Sequence, residues 1–303
     1  FANVIGEVIP TKEIIISQDN QVVAQIPTSA LSDDTPINIH NVIEKPPNYL
    51  LKKWEWTEDK LPLVSTNGIH SLKDNKLFSW SEIILNLLSN PSIASKRWAY
   101  RQYDSQVQSN TVFKPGESDA ALIRLRAQDD KKKDKVFSGI AASVDCNSRW
   151  VSLDPFRGSI AAVAESARNV SCVGAEPVAI TNNLNFSSPE TEEGYWQLSL
   201  ACEGISEACK ALETPVTGGN VSLYNESKNE KKEITPIYPT PVIGMVGTIK
   251  NVDKAVSSGW KNINDEIWII GSNSSELTIG ASSYLEYFHG LVTGRPPKIN
   301  LLD

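Results

Sequence analysis

An α+β fold, with one sheet-forming domain followed by the start of a second α/β domain, is what this 303-residue sequence predicts. Three observations predict it. Strand-like and helix-like segments alternate between about residues 96 and 250, and several strand-like segments are neighbours in sequence. The stretch SSPETEEGYWQLSLACEGISEACKALETP carries apolar residues at spacings of three and four, the period of an amphipathic helix. Short runs such as KVFSGIAASVD and YPTPVIGMVGTI read as strands.

Taken in order, residues 1–38 read as strands and turns: FANVIGEVI, EIIIS and QVVAQIP, with SQDN turning between the last two. Residues 39–95 change character and read as a linker with helices. KPPNYLLKKWEWTEDKLP is aromatic and bounded by prolines, and SWSEIILNLLSNP is a short helix that Ser81 can cap. Residues 96–250 form the best-organised domain. TVFKPGESDAALIRLR and KVFSGIAASVD are strands around a KKKDK loop. DPFRGSIAAVAESARNVSCVGAEP is a helix with Ile160, Val163, Ala167 and Val170 on one face, stopped by Gly174 and Pro177. PVAITNN is a short buried strand. The next helix shows the cleanest stripe, Tyr195, Leu198, Cys202, Ile205, Cys209 and Leu212, with Ser188 as its cap and Pro189 at its first position. TPVTGGNVSLYNES reads as two strands around a Gly218-Gly219-Asn220 turn, followed by the polar loop NESKNEKKE and the strand YPTPVIGMVGTI. Residues 251–303 begin a new unit, with DEIWIIGS as a strand and ELTIGASSYLEYFHG leading to a helix. The chain opens within a strand-like segment, closes without a final element and has Met245 as its only methionine, so we expect an internal piece of a longer protein.

Bulk composition excludes some functions. A net charge of −7 leaves no basic face to release counterions from nucleic acid, and the charge run DDKKKDK mixes both signs as a solvated loop does. An acidic chain that binds phosphorylated ligands needs metal cations to screen the repulsion. No apolar run approaches the ~20 residues of a membrane span, and no secretory signal opens the chain. The four cysteines lack metal-site spacing and suggest no disulfide framework, which makes a reducing cytosol the expected compartment. Cys202 and Cys209 are expected as small core residues of one helix.

The chemistry-bearing candidates are oxygen-rich. Cys146 has no histidine near it in sequence, and the three histidines, His40, His70 and His289, are too scattered for a zinc site, so Cys146 is read as structural. Asp119, Asp145, Asn147 and Asp154 lie at expected strand ends or helix starts, where they suit either capping or Mg²⁺. TNNLNFSSPE follows a strand and precedes a helix, a common place for binding residues. Glycines at 218 and 219 allow close backbone approach, and Asn220 offers a hard oxygen ligand. Residue types and spacing alone lead to an α+β protein in which these positions serve either a nucleotide–Mg²⁺ site or ordinary capping and loop geometry, and no further.

Five motifs in this order and spacing carry a resemblance: SNTVFKPGESDAAL, SVDCNSRWVSLDP, AVAESARNVSCVGAEPVAITNNLNFSSPE, TPVTGGNVSLYNES and YPTPVIGMVGTI. Together they resemble the second half of the phosphoribosylformylglycinamidine synthase family, the PurL-type synthetase subunits. The opening FANVIGEVI and VVAQIPTSALSDDTP are similar to the end of that family's first half, and GASSYLEYFHG with GRPPKINLLD to the start of its last domain. The resemblance covers nearly the whole chain and is weakest over 39–95. It implies a PurM/AIR-synthetase-like fold: 1–38 ends a first AIRS-like C-terminal domain, 39–95 is a linker with helices, 96–250 is a second AIRS-like N-terminal domain, and 251–303 is the truncated start of its C-terminal domain.

The resemblance also implies a reaction and partners. Formylglycinamide ribonucleotide, ATP and ammonia become formylglycinamidine ribonucleotide, ADP and phosphate in purine synthesis. The ammonia comes from glutamine through a PurQ-like glutaminase, with a small PurS-like subunit in the multi-subunit type. Carried over by position, Asn182 and Gly219 match ATP-contacting residues, Asn220 a Mg²⁺ ligand and Ser222 a substrate contact. The family often has aspartate where this chain has Asn182 and glycine where it has Ser187; Asn182 keeps a hydrogen-bonding carbonyl but loses the charge. The catalytic histidine is expected before Phe1, and Asp145-Cys146-Asn147 stands where the first half has its Glu-x-His motif. Asparagine cannot accept a proton, so this half's own pseudo-symmetric site is expected to be silent. Two alternatives are a structural nucleotide-binding scaffold half, and another superfamily member such as aminoimidazole ribonucleotide or selenophosphate synthetase.

Overall fold

The computed structural model describes residues 2–37, 39, 43, 45–126, 137–270 and 278–301. Two compact units divide the chain, Phe1–Asn41 and Val42–Asp303.

The first unit is a hairpin. Strands β1 (Glu13–Gln18) and β2 (Gln21–Pro27) pair antiparallel, with a register shift at Ile16/Ser17. Between them Asp19 and Asn20 both take positive φ, 51° and 63°. That conformation matches the twist of a two-residue hairpin, and Asp and Asn tolerate it better than most residues. FANVIGEVI, expected as a strand, forms no regular element over its described residues 2–9. A strand needs a partner for its backbone groups, and none of the described residues pairs with this segment.

The second unit is built on a five-stranded sheet. Its elements are α1 (Asn48–Trp54), the two-residue strands β3 (Ile69–His70) and β4 (Leu77–Phe78), α2 (Trp80–Ser89), α3 (Arg97–Tyr100), β5 (Ala121–Arg124), β6 (Gly139–Asp145), α4 (Ser148–Leu153), α5 (Pro155–Cys172), β7 (Glu176–Asn185), α6 (Glu192–Ala211), β8 (Val216–Ser222), β9 (Glu226–Lys228), β10 (Ile234–Pro236) and β11 (Thr240–Ile249). The sheet order is β5-β6-β11-β7-β8, antiparallel except for the parallel pair β7–β8, and β9 and β10 form a separate hairpin. The α+β class is therefore as expected. The KKKDK loop lies outside the described residues.

One sheet face is covered by α5 and α6. Leu122, Ala141, Ile180, Ile243 and Met245 point into this core, where they meet Val163 and Val170 of α5 and Ala201 and Ala208 of α6. Ile160, Val163, Ala167 and Val170 are all buried, as their spacing predicts. Along β6 burial alternates residue by residue, which leaves Ile140 and Val144 on the opposite, exposed face. β7 is longer than expected and only half-buried, because Ile180 and Leu184 alone are fully enclosed.

Helix α6 corrects two details. It starts at Glu192, with Thr191 accepting a hydrogen bond from the Gly194 N–H, rather than at Pro189 under a Ser188 cap. Its buried face is turned toward Trp196, Ala201, Gly204 and Ala208, so Ile205 and Cys209 are buried but Cys202 is exposed. Small residues set this rotation. A Cβ on Gly204 would fall 2.4 Å from the Phe156 carbonyl oxygen, so α5 and α6 meet backbone to backbone there. Helix α2 is likewise capped two residues before the expected Ser81. Ser79 and Glu82 form a reciprocal capping box, the Ser-x-x-Glu arrangement that satisfies two helix-end donors at once.

Residues 278–301 form a strap along the unit. Arg149 Nε and Trp150 Nε1 both donate to the Ala281 carbonyl, each at 3.0 Å. Arg295 grips Asp154 through Nε at 2.9 Å and Nη2 at 2.5 Å, and its guanidinium lies 4.1 Å from the centre of a Trp54 ring. Phe288 closes a small second core with Ile69, Phe78 and Ile83. The expected helix near SSYLEYFHG is a single π-type turn, Leu285–His289. The expected strand DEIWIIGS is absent over its described residues Asp265–Ile270, whose Ile267, Trp268, Ile269 and Ile270 side chains lie exposed. These residues have strand-like composition, and none of the described strands pairs with them.

Candidate functional site

The parallel pair β7–β8, joined through α6, is where the sequence-predicted residues gather. Parallel strands connected by a helix present ligand-binding residues beyond their C-terminal ends, next to the start of the helix. Here those ends are tied together. Asn225 N donates to the Phe186 carbonyl at 3.1 Å, and the Ser188 N–H donates to Glu226 Oε1 at 2.9 Å. Tyr224 takes positive φ and donates its hydroxyl to Glu190 at 3.1 Å.

Gly218-Gly219-Asn220 is not a turn. It lies inside the uninterrupted strand β8, and neither glycine has positive φ. The glycines are explained by proximity. Asn182 and Gly219 are register partners, and a Cβ on Gly219 would fall 2.0 Å from the Asn182 Oδ1. A side chain at 219 therefore cannot coexist with Asn182 as it lies. Gly218 has open space around it.

The register sorts the four predicted residues onto two faces. Asn182 lies between Ile180 and Leu184 and shares their helix-side face, opening on a groove of about 430 Å³ that Cys202, Ser206, Cys209 and Lys210 also line. That volume is within the usual range of small-molecule sites. Asn220 pairs with Asn183 and Ser222 with Asn185, both on the opposite, open face. The structure thus joins Asn182 to Gly219 and sets Asn220 and Ser222 apart from them. Gly219, Asn220 and Ser222 lie on β8, the last strand of the sheet among the described residues, and Asn182 lies on its neighbour β7.

Side-chain bonds fix the open-face pair. Asn220 Nδ2 donates to Asn183 Oδ1 at 3.0 Å, and among the described residues the Asn220 Oδ1 takes no partner. Ser222 is held by Asn225, whose Nδ2 lies 2.8 Å from the Ser222 carbonyl and 3.2 Å from its hydroxyl. Neither Asn183 nor Asn225 stood out in the sequence. The signal was present, because asparagines at 183 and 185 fall on one face once β7 is read as an alternating strand.

Three of the other four oxygen-rich positions are occupied by structural work. Asn147 caps α4 by accepting from Trp150 N at 3.2 Å, and Asp154 caps α5 by accepting from Arg157 N at 3.0 Å while it holds Arg295. Asp145 accepts from Ser166 Oγ at 2.8 Å and Asn169 Nδ2 at 3.0 Å. Asp119 is exposed on the approach to β5. Burial, reinforced by Glu165 and Asp145, pushes the Cys146 thiol up to about 12, which removes its thiolate at neutral pH and agrees with a structural reading. Of the three histidines, His40 lies outside the described residues. His289 is buried, with Nδ1 accepting from Leu72 N and Nε2 beside the Tyr284 hydroxyl.

Among the described residues no group of three or more His, Cys, Asp or Glu side chains could hold a metal ion. What β8 offers is one neutral amide oxygen with its nitrogen already engaged. Such a donor suits a hard cation that takes its remaining ligands from phosphate, water or other polypeptide, as Mg²⁺ commonly does. The donor set therefore fits a shared Mg²⁺ and does not fit a resident metal held by this chain alone. No helix among the described residues is long and apolar enough to cross a membrane.

Comparison with known proteins places the sheet domain. Residues 117–249 match the family described as AIR synthase related protein, N-terminal domain. The phosphoribosylformylglycinamidine synthase subunit PurL of Prochlorococcus marinus subsp. pastoris is 80% identical over all 303 residues, which span 39% of that relative. PurL of P. marinus strain NATL1A is 55% identical over 99% of this chain and 38% of its own length. This chain therefore spans well under half the length of the curated relatives it matches. Among solved structures, PurLQS from Thermotoga maritima covers 82% of this chain and 33% of its own, with a TM-score of 0.54 and 26% identity. T. maritima PurL complexed with ATP gives a TM-score of 0.53 at the same identity and coverage. T. maritima PurL complexed with FGAR gives 0.51, with 26% identity over 82% of this chain and 32% of that one. The fold is PurM-like.

Proposed function

We propose, from the premise that this chain is PurL-like along its whole length, that it supplies one side of an ATP-dependent amidoligase site in purine synthesis. The reaction converts formylglycinamide ribonucleotide, ammonia and ATP to formylglycinamidine ribonucleotide, ADP and phosphate. ATP activates the formamide oxygen by phosphorylation, and ammonia then displaces phosphate. The ammonia is delivered from glutamine by a PurQ-like glutaminase, with a PurS-like subunit completing the assembly in a cytoplasmic enzyme.

The residues divide the labour by face. Asn182 and the backbone beside Gly219 contact ATP from the helix side. Ser222, held by Asn225, meets the phosphorylated substrate from the open side, and Asn220 offers its free Oδ1 to Mg²⁺. When bound, the cation neutralises polyphosphate charge that an acidic chain would otherwise repel. Reactants reaching both faces wrap around the free edge of β8. The observation that supports this reading best is the parallel register, which sets Asn182 against Gly219 and Asn183 against Asn220 across the two outermost described strands.

The proton-transfer groups belong to polypeptide outside this chain. Asp145, Cys146 and Asn147 are committed to hydrogen bonds or held in the thiol form, consistent with a silent pseudo-symmetric site. The isolated 303 residues are therefore expected to show no ATP-dependent amidine synthesis. A second reading, a nucleotide-binding scaffold without a direct part in the reaction, draws on the same saturated cluster. Asn220→Ala in the full-length synthetase separates the two. A lower rate with a raised Mg²⁺ requirement supports the amidoligase reading, and an unchanged rate and requirement supports the scaffold.

A further inference from the structure

We infer that Asn183 is a positioning residue that fixes the amide of Asn220 with its oxygen turned outward, so that one amide sets the metal affinity of its neighbour on the next strand. The inference rests on the reading of Asn220 as a Mg²⁺ ligand and deepens it.

A primary amide presents two nearly isosteric ends, a carbonyl oxygen that accepts and an NH₂ that only donates. A free asparagine on an exposed strand can rotate either end toward a ligand. With its NH₂ facing a cation it repels it, and only the oxygen coordinates. Asn183 and Asn220 are register partners in a parallel pair, so their side chains leave the sheet on the same face. The bond from Asn220 Nδ2 to Asn183 Oδ1, 3.0 Å long, engages the end that cannot coordinate and leaves Oδ1 pointing away. Partners that orient a metal ligand in this way are known to matter nearly as much as the ligand itself. Both residues are exposed, so removing the Asn183 acceptor leaves the core intact.

The test uses the full-length synthetase and Mn²⁺ as a spectroscopic probe, with free Mn²⁺ read by electron paramagnetic resonance in the presence of the ATP analogue AMPPCP. Asn183→Leu is expected to raise the Mn²⁺ dissociation constant roughly tenfold. Asn183→Asp keeps an acceptor at the same place and is expected to bind Mn²⁺ at least as well as the unmodified enzyme. If Asn220→Ala weakens Mn²⁺ binding but Asn183→Leu does not, the positioning role is wrong and the ligand reading survives. If Asn220→Ala leaves Mn²⁺ binding unchanged, the ligand reading fails and takes the positioning role with it. An Asn183→Asp variant as weak as Asn183→Leu also overturns the inference, because the loss then follows shape and not the acceptor.

Discussion

Asn182 lies across Gly219, with the glycine Cα so close that an added Cβ would fall 2.0 Å from the amide Oδ1 and 2.5 Å from the backbone carbonyl of Asn182. Gly219→Ala must therefore push strand β8 or the Asn182 side chain aside. Overpacking of this kind costs about 1–3 kcal/mol. In the full-length synthetase we expect Gly219→Ala to weaken ATP binding by roughly tenfold or more, an amount equal to about 1.4 kcal/mol. Gly218→Ala, with open space around it, is the control and is expected to bind ATP normally. Titration calorimetry with AMPPCP measures both.

Gly204→Ala tests how α5 and α6 meet. The new methyl would press on the Phe156 carbonyl, and main chain yields less readily than a side chain. We expect a loss of about 1–3 kcal/mol in unfolding free energy, read from the urea midpoint.

The same position shows what could be read from the sequence alone. Helix α5 was legible because Ile160, Val163, Ala167 and Val170 are apolar, regularly spaced and all buried. Helix α6 was legible as a helix but not in its rotation, because Gly204 and Ala208 lie in the contact by being small, and periodicity weighs them lightly. Gly218-Gly219 looked like punctuation, since glycine pairs usually mark turns. The real reason, the side chain of Asn182 on the neighbouring strand, is a tertiary contact that spacing does not report. Ser79 and Ser81 were both eligible caps, and only the partner three residues on, Glu82, chooses between them. For the site, residue identities came from resemblance, while the division between two faces needed the register of β7 on β8.

Asp154 serves a helix end and a cation at once. Its Oδ1 accepts from Arg157 N and its Oδ2 from Arg295, and the side chain is almost wholly enclosed. Asp154→Ala removes the cap and leaves the Arg295 guanidinium without its carboxylate, for an expected loss of roughly 2–4 kcal/mol. Asp154→Asn keeps the cap acceptor and is expected to lose less. Urea unfolding of the two variants side by side gives the comparison.

His289 carries a pH dependence. Burial lowers its pKa below the usual value, so the folded state favours the neutral ring. The unfolded chain binds the proton more readily, and stability therefore falls as pH drops below the unfolded value of about 6.5. Above that pH the ring is neutral in both states and contributes no slope. Urea midpoints measured between about pH 7.5 and pH 5.5 are expected to decline, and His289→Gln is expected to flatten part of that decline.

Cys146 and Cys172 are expected to differ in reactivity. Cys146 is half-buried and kept protonated beside Asp145 and Glu165, while Cys172 is exposed at the end of α5. Limited treatment with iodoacetamide at neutral pH is expected to label Cys172 well before Cys146, as peptide mass spectrometry would show.

The strap over residues 278–301 is moored by groups that lie far behind it in the chain: Arg149 and Trp150 on the Ala281 carbonyl, and Asp154 on Arg295. None of these moorings draws on the residues that lead into it. Insertions or deletions between Ser258, itself tied to the Glu117 carbonyl, and Thr278 can therefore accumulate during evolution while the strap keeps its berth. Drift in length is expected to concentrate in that interval among homologues, with the moored residues themselves holding their spacing.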